Sequence, residues 1–263
     1  MTSTLTAIAF SAPLALFGLW GDDEPEKTKE EIAKETAEQV RVVDEKSPSW
    51  PSANNGDKTD FDADMLRDNV MVVLDMSGSM GGGDCSGDFY DKSSAAKATL
   101  SEWLKTVPGD SNLGLVAFVS GNTKVYVDLA AGNRDLFMQQ VKKFTPDGGT
   151  PLYDAVTLAH DELEEQALTQ NGFGTYKMVV ITDGEHSVGQ NPNSAVNKIL
   201  DNAQNPVEIH TIGFCIEDSA LNQPGRTEYQ SAKNPEQLKQ GLDSVLSEAT
   251  TFNGPESFGD WAN

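Results

Sequence analysis

Five short apolar runs, at 69–74, 113–119, 125–129, 178–181 and 207–212, constrain the fold of this chain more than any other feature. Most are rich in Val and Ile, and several are nearly unbroken. A strand apolar on both faces has to be covered on both faces, which is how strands of a mostly parallel sheet read. The segments between them are amphipathic at helical spacing. In 93–107, Ala96, Leu100, Trp103, Leu104 and Val107 share one side, and in 133–144 Phe137, Val141 and Phe144 do so behind a candidate cap at Asn133. The connection "VSGNTKV" between the second and third runs is too short for a helix. It reads as a hairpin turn and predicts one antiparallel strand at an edge.

Three later helices announce their starts by a capping residue followed by proline: Thr150-Pro151, Asn191-Pro192 and Asn234-Pro235. The expected architecture is therefore α/β: a doubly wound, mostly parallel open sheet with one antiparallel edge strand and helices on both faces. In such sheets ligands sit beyond the carboxyl ends of the strands, where strand order reverses.

Unusual residues stand at those ends. The first run closes in "DMSGSMGGGDCSG", with Asp75, Ser77 and Ser79 at alternate positions. The fourth runs out into "TDGEH", placing Asp183 on the same rim, and "GGTPLYDA" brings Thr150 to it. Two carboxylates and three hydroxyls are hard oxygen donors, without a Cys or His set of the zinc type. Mg²⁺ suits them best, because it takes few carboxylates and keeps water; Mn²⁺ and Ca²⁺ are the alternatives. A serine hydrolase would want Gly-x-Ser-x-Gly, but the residue two before Ser79 is Ser77. His160, His186 and His210 have no evident role as a base. A phosphoryl-transfer enzyme using an aspartyl nucleophile with Mg²⁺ is the stronger rival, yet the position where a second acid is typical holds Ser77.

The "DMSGS", "GGTPLYDA" and "TDGE" segments, in this order and at these element ends, resemble the three-part metal-ion-dependent adhesion site of von Willebrand factor A domains. The resemblance covers about residues 66 to 250, and "SAKNPEQLKQGLDSVL" is similar to the family's last helix, after a short strand near "TEYQSA". It implies that Ser77 and Ser79 bind the metal directly. Asp75 and Asp183 would act mainly through waters and hydrogen bonds, and Thr150 would bind when a ligand is engaged. A protein partner's Asp or Glu would complete the metal's shell, and no enzymatic activity is implied. A cytoplasmic adaptor of an ATPase machine, and a Mg²⁺-dependent phosphohydrolase, are the alternative readings. The loop after Ser79 departs from the plain pattern by adding Asp84, Asp88 and Asp91, as a solvated acidic loop or a second cation site.

The rest of the chain sets context. A formal net charge of −22 over 263 residues excludes nucleic acid as a partner. Residues 4–20 are uncharged and mostly apolar, too short to span a bilayer comfortably. By length they match a signal peptide or, second, an uncleaved anchor, so membrane attachment runs through 4–20 alone. The expected organisation is an export segment at 1–20, an acidic stalk at 21–60, the domain at 61–250 and a tail at 251–263. Export to the periplasm, the medium or a membrane surface is the first expectation, and the cytoplasm the second. Cys85 and Cys215 are the two cysteines, and both fall near the rim. A bridge between them and a pair of free thiols are equally compatible with the sequence.

Overall fold

The computed structural model describes residues 50–51, 61–217 and 219–247. The expected export segment, nearly all of the stalk and the tail lie outside them. Six strands form one sheet: β1 (Asp68–Met76), β2 (Asn112–Val119), β3 (Asn122–Ala130), β4 (Thr175–Thr182), β5 (Val207–Phe214) and β6 (Glu228–Ala232). Their order is β3-β2-β1-β4-β5-β6. Every pairing is parallel except β2 with β3, the expected hairpin at the edge. The chain leaves β1 for β2 on one side and later returns to lay β4 on the other, so order reverses between β1 and β4.

Five helices cover the sheet: α1 (Lys92–Trp103), α2 (Arg134–Lys143), α3 (Leu152–Thr169), α4 (Asn193–Leu200) and α5 (Pro235–Ser247). Alternation along β1 explains the two layers. Val70, Val72, Leu74 and Met76 pack with Leu100 and Trp103 of α1, Phe137 of α2 and Leu242 of α5. Met71 and Val73 face the other way, against Val156 and Leu163 of α3 and Val196 of α4. β3, at the edge and paired with a strand on one side only, is the strand with the most exposed residues.

Helix starts differ from expectation in an instructive way. Only Asn234-Pro235 behaves as read: Asn234 Oδ1 accepts the Gln237 N–H at 2.9 Å, while Gln237 Oε1 accepts the Lys233 N–H at 2.7 Å. α3 has Pro151 rather than Thr150 at its N-cap. Asn191 stands one position before the Pro192 cap of α4 and holds the Asn193 N–H at 2.9 Å. Asn133 is the N-cap of α2 but makes no capping bond, because its amide is turned to the Asp128 carbonyl at 2.6 Å. α1 stops at Trp103, earlier than its apolar stripe suggests, and Leu104 and Val107 are buried from the turn that precedes Pro108.

Candidate metal centre

β1 carries Asp75 to the end of the sheet inside the core, fully buried. Extended backbone persists to Ser77, and a single 3₁₀ turn, Gly78–Gly81, follows. Ser77 and Ser79 are therefore not aligned by strand alternation. The turn folds Ser79 back until its Oγ lies 3.0 Å from Ser77 Oγ. Ser79 is the exposed member of the group, and Ser77 is buried.

Asp75, Ser77, Ser79, Thr182 and Asp183, at the ends of β1 and β4, form one hydrogen-bonded set. Asp75 Oδ1 accepts the Ser77 N–H at 2.8 Å. Its Oδ2 accepts the Thr182 hydroxyl at 2.7 Å. Ser79 donates its hydroxyl to Asp183 Oδ1 at 2.7 Å, so in the Ser77–Ser79 contact the donor is Ser77. The remaining oxygen of Asp183, Oδ2, lies 2.5 Å from Lys92 Nζ, at the first residue of α1.

A buried carboxyl with another acid near it resists ionisation. Burial pushes the Asp75 carboxyl up to about 6, and the nearby Asp183 charge adds to the rise. Bonds from Ser77 and Thr182 work against it. Asp75 is thus a carboxylate kept charged near neutrality at a cost, which a cation beside it would remove.

Thr150 reaches the rim on a separate loop. Asp147 donates its N–H to the Met76 carbonyl at 3.0 Å, and Gly148 accepts the Gly78 N–H at 2.9 Å. That loop therefore lies against the turn after β1. Gly148 has φ +83°, and a Cβ there would stand 2.3 Å from the Gly121 nitrogen, so only glycine fits between the two loops. Ser187 then clasps Thr150 by both backbone groups. Its Oγ accepts the Thr150 N–H at 2.8 Å and its N–H donates to the Thr150 carbonyl at 3.0 Å. The Thr150 side chain joins none of the bonds that link Asp75, Ser77, Ser79 and Asp183.

The enlarged loop after Ser79 is pinned to the rim. Cys85 and Cys215 are disulfide-bonded, with Cα atoms 5.6 Å apart, tying this loop to the residue after β5. Asp91 is not a rim acid: its Oδ1 caps α1 by accepting the Ser94 N–H at 2.7 Å and also the Ser93 hydroxyl at 2.9 Å. Asp84 and Asp88 are exposed. Of the histidines, His210 is buried in β5, His160 on α3 contacts Asn205 at 3.0 Å, and His186 Nδ1 lies 3.0 Å from the Ser187 carbonyl.

Lys92, Thr182 and Ser187 escaped the sequence reading. Thr182 had a visible signal, since it directly precedes Asp183 at the end of a strand. Lys92 had a subtler one: a cation in the first turn of a helix opposes the helix dipole and asks for a reason.

A doubly wound sheet with oxygen-rich side chains at its switch point belongs to the α/β class whose ligand sites lie at that point. Residues 70–186 match the family model of the von Willebrand factor type A domain. Among solved structures, proximal thread matrix protein 1 from the mussel byssus is 17% identical, with a TM-score of 0.54, over 70% of this chain and 48% of that one. A form of the same mussel protein with a zinc-occupied MIDAS motif is 15% identical, with a TM-score of 0.52, over 72% and 47%. The VWA domain of SpRpn10 is 16% identical, with a TM-score of 0.52, over 68% of this chain and 95% of that one. The chain thus spans about half the length of the mussel protein. No curated protein matches it.

Proposed function

We propose that this chain is an exported protein-binding module that holds a divalent cation, Mg²⁺ foremost, and uses it to take up an Asp or Glu side chain of a protein partner. The observation that carries the reading is the hydrogen-bonded set of Asp75, Ser77, Ser79 and Asp183 at the reversal of strand order. The donor set fits such a cation, being all hard oxygen and containing two carboxylates. The zinc-occupied motif of the mussel protein supports the class of ligand.

Each residue has a distinct task in this reading. Ser77 and Ser79 offer hydroxyl oxygens directly, and Thr150 offers its own when a ligand is engaged. Asp75 orients Ser77 through the backbone N–H and supplies charge from below, and Asp183 orients Ser79. When bound, the cation supplies an open coordination position for a carboxylate. Its charge also decides the sign of recognition. A chain of formal net charge −22 repels an acidic partner, so an Asp or Glu is attracted only where a cation overrides that field. The chemistry is binding, with no bond broken.

The Cys85–Cys215 bridge favours an oxidising compartment. Among the described residues no helix is long and apolar enough to cross a membrane. The proposed organisation assigns 1–20 to export or anchoring, 21–60 to a stalk, 61–250 to the domain and 251–263 to a tail. The test is capture from cell-envelope and cytosolic extracts on the immobilised full chain, in Mg²⁺, in EDTA, and with Ser77→Ala. A protein retained only by the unaltered chain in Mg²⁺, and supplied by the envelope extract, is the expected result. Equal retention in all three conditions would remove the cup as the recognition device.

A further inference from the structure

Lys92 is an odd residue where it stands. It opens α1, where a positive charge opposes the helix dipole, and its side chain is only 9% exposed. Both circumstances are unfavourable for an ammonium group unless acids compensate. The compensation is specific: Nζ lies 2.5 Å from Asp183 Oδ2, whose side chain is fully buried. Among the described residues no other Lys or Arg pairs with Asp75 or Asp183.

The position is held by backbone as well as by charge. Lys92 N–H donates to the Gly82 carbonyl at 2.9 Å, within the loop that the Cys85–Cys215 bridge fastens. A Cβ on Gly82 would lie 3.6 Å from Lys92 Cε, so the lysine stem runs close past that glycine on its way to the acids. Asp183 divides its oxygens, Oδ1 to Ser79 and Oδ2 to Lys92.

We propose that Lys92 is an internal counter-cation of the cup, standing beside Asp183 in place of a metal's charge and competing with a divalent cation for this carboxylate. The inference rests on the cation-binding reading above. In the metal-free protein Lys92 offsets the repulsion between Asp75 and Asp183. When a divalent cation enters, the fixed ammonium repels it and holds part of the Asp183 charge, so affinity is set lower than the donor set alone would give. The cup then discriminates by cation concentration rather than filling permanently.

The experiment is calorimetric titration of the full chain with MgCl₂, together with thermal unfolding in EDTA, for wild type, Lys92→Met, Lys92→Gln and Lys92→Arg. Methionine keeps most of the stem, glutamine keeps a neutral donor for Asp183, and arginine keeps the charge. The two neutral variants are expected to bind Mg²⁺ roughly tenfold tighter or more, as removal of a nearby like charge requires, yet to melt lower in EDTA. Lys92→Arg is expected to stay near wild type in affinity. A merely structural pair would lower melting without tightening binding. Wild-type binding with equal or weaker affinity in both neutral variants would overturn the role of Lys92 and leave cation binding intact. An absence of binding in all four proteins would overturn cation binding and the competition with it.

Discussion

β1 has a buried polar cluster at each end, and the two differ in what they leave unspent. At the amino end, Asn69 and Asn112 stand opposite one another in register, with Asn112 Nδ2 donating to Asn69 Oδ1 at 2.8 Å. Asn69 Nδ2 is 2.8 Å from both Gln170 Oε1 and the Thr175 carbonyl, and Gln170 Nε2 bonds the Arg67 carbonyl at 3.0 Å. These groups are neutral and answer one another. At the carboxyl end Asp75 and Asp183 are acids crowded together, compensated by hydroxyls and one lysine. A closed amide network fastens strands, whereas crowded acids facing a rim ask for a further cation. Polarity and burial alone do not mark a site; incompletely compensated charge does.

The largest effect concerns the crosslink that only the carboxyl end possesses. Replacing Cys85 and Cys215 with serine removes a bridge that closes 130 residues of sequence, and should cost roughly 4 kcal/mol in urea unfolding. A smaller loss than 1 kcal/mol would mean that the rim loops hold their places without it.

Asn69→Ala sharpens the contrast from the other end. It takes from Asn112 Nδ2 and Gln170 Oε1 their Asn69 partner inside the core and should cost about 3 kcal/mol. Mg²⁺ affinity, measured on the same protein, should not change. A parallel loss of binding would show the two ends to be one coupled unit.

Asp75→Asn should do the reverse: remove cation binding and stabilise the metal-free protein, by about 2 kcal/mol at pH 7. The asparagine Oδ1 can keep the Ser77 N–H, and its amide can donate to Thr182 Oγ1, which turns its own proton toward the Gly184 carbonyl 3.3 Å away. The sign follows from proton linkage. Burial raises Asp75 from 3.8 to about 6, so between those values the folded protein holds the proton that the unfolded chain has lost. Metal-free stability is greatest below pH 4 as far as Asp75 is concerned, and falls as pH rises to about 6. Asp183, Ser77 and Thr182 face this carboxyl, and the difference between wild type and Asp75→Asn in EDTA isolates its share. A flat difference between pH 4 and pH 7 would contradict it.

Ser187→Ala should have the smallest effect, a loss of about 1 kcal/mol in urea unfolding, as the Thr150 N–H loses its partner. A larger loss, above about 3 kcal/mol, would mean that Ser187 supports more of the rim than that one clasp.

Most of the fold was legible because burial on both faces leaves a plain signature. The runs around Val72 and Val179 could only be central strands, and "VSGNTKV" could only be a tight turn. Asp75, Ser77, Ser79 and Asp183 were legible because each lies next to such a run. The Thr150-Pro151 pair reads as a capped helix start, but Pro151 takes the N-cap position itself. Lys92 and Ser187 were not legible, since their contacts with Asp183 and Thr150 depend on how long loops fold back. No periodicity encodes that. Asp91 was misread among the loop acids, because a helix start one residue earlier than expected converts it into a cap.

The most direct test of the account is calorimetric titration of MgCl₂ into the EDTA-stripped, dialysed full chain at pH 7.5, for the wild type beside Asp75→Asn. The account predicts saturable binding at one site in the wild type and none in the variant, with the variant still cooperatively folded. Absence of binding in the wild type, or equal binding by both proteins, would contradict it.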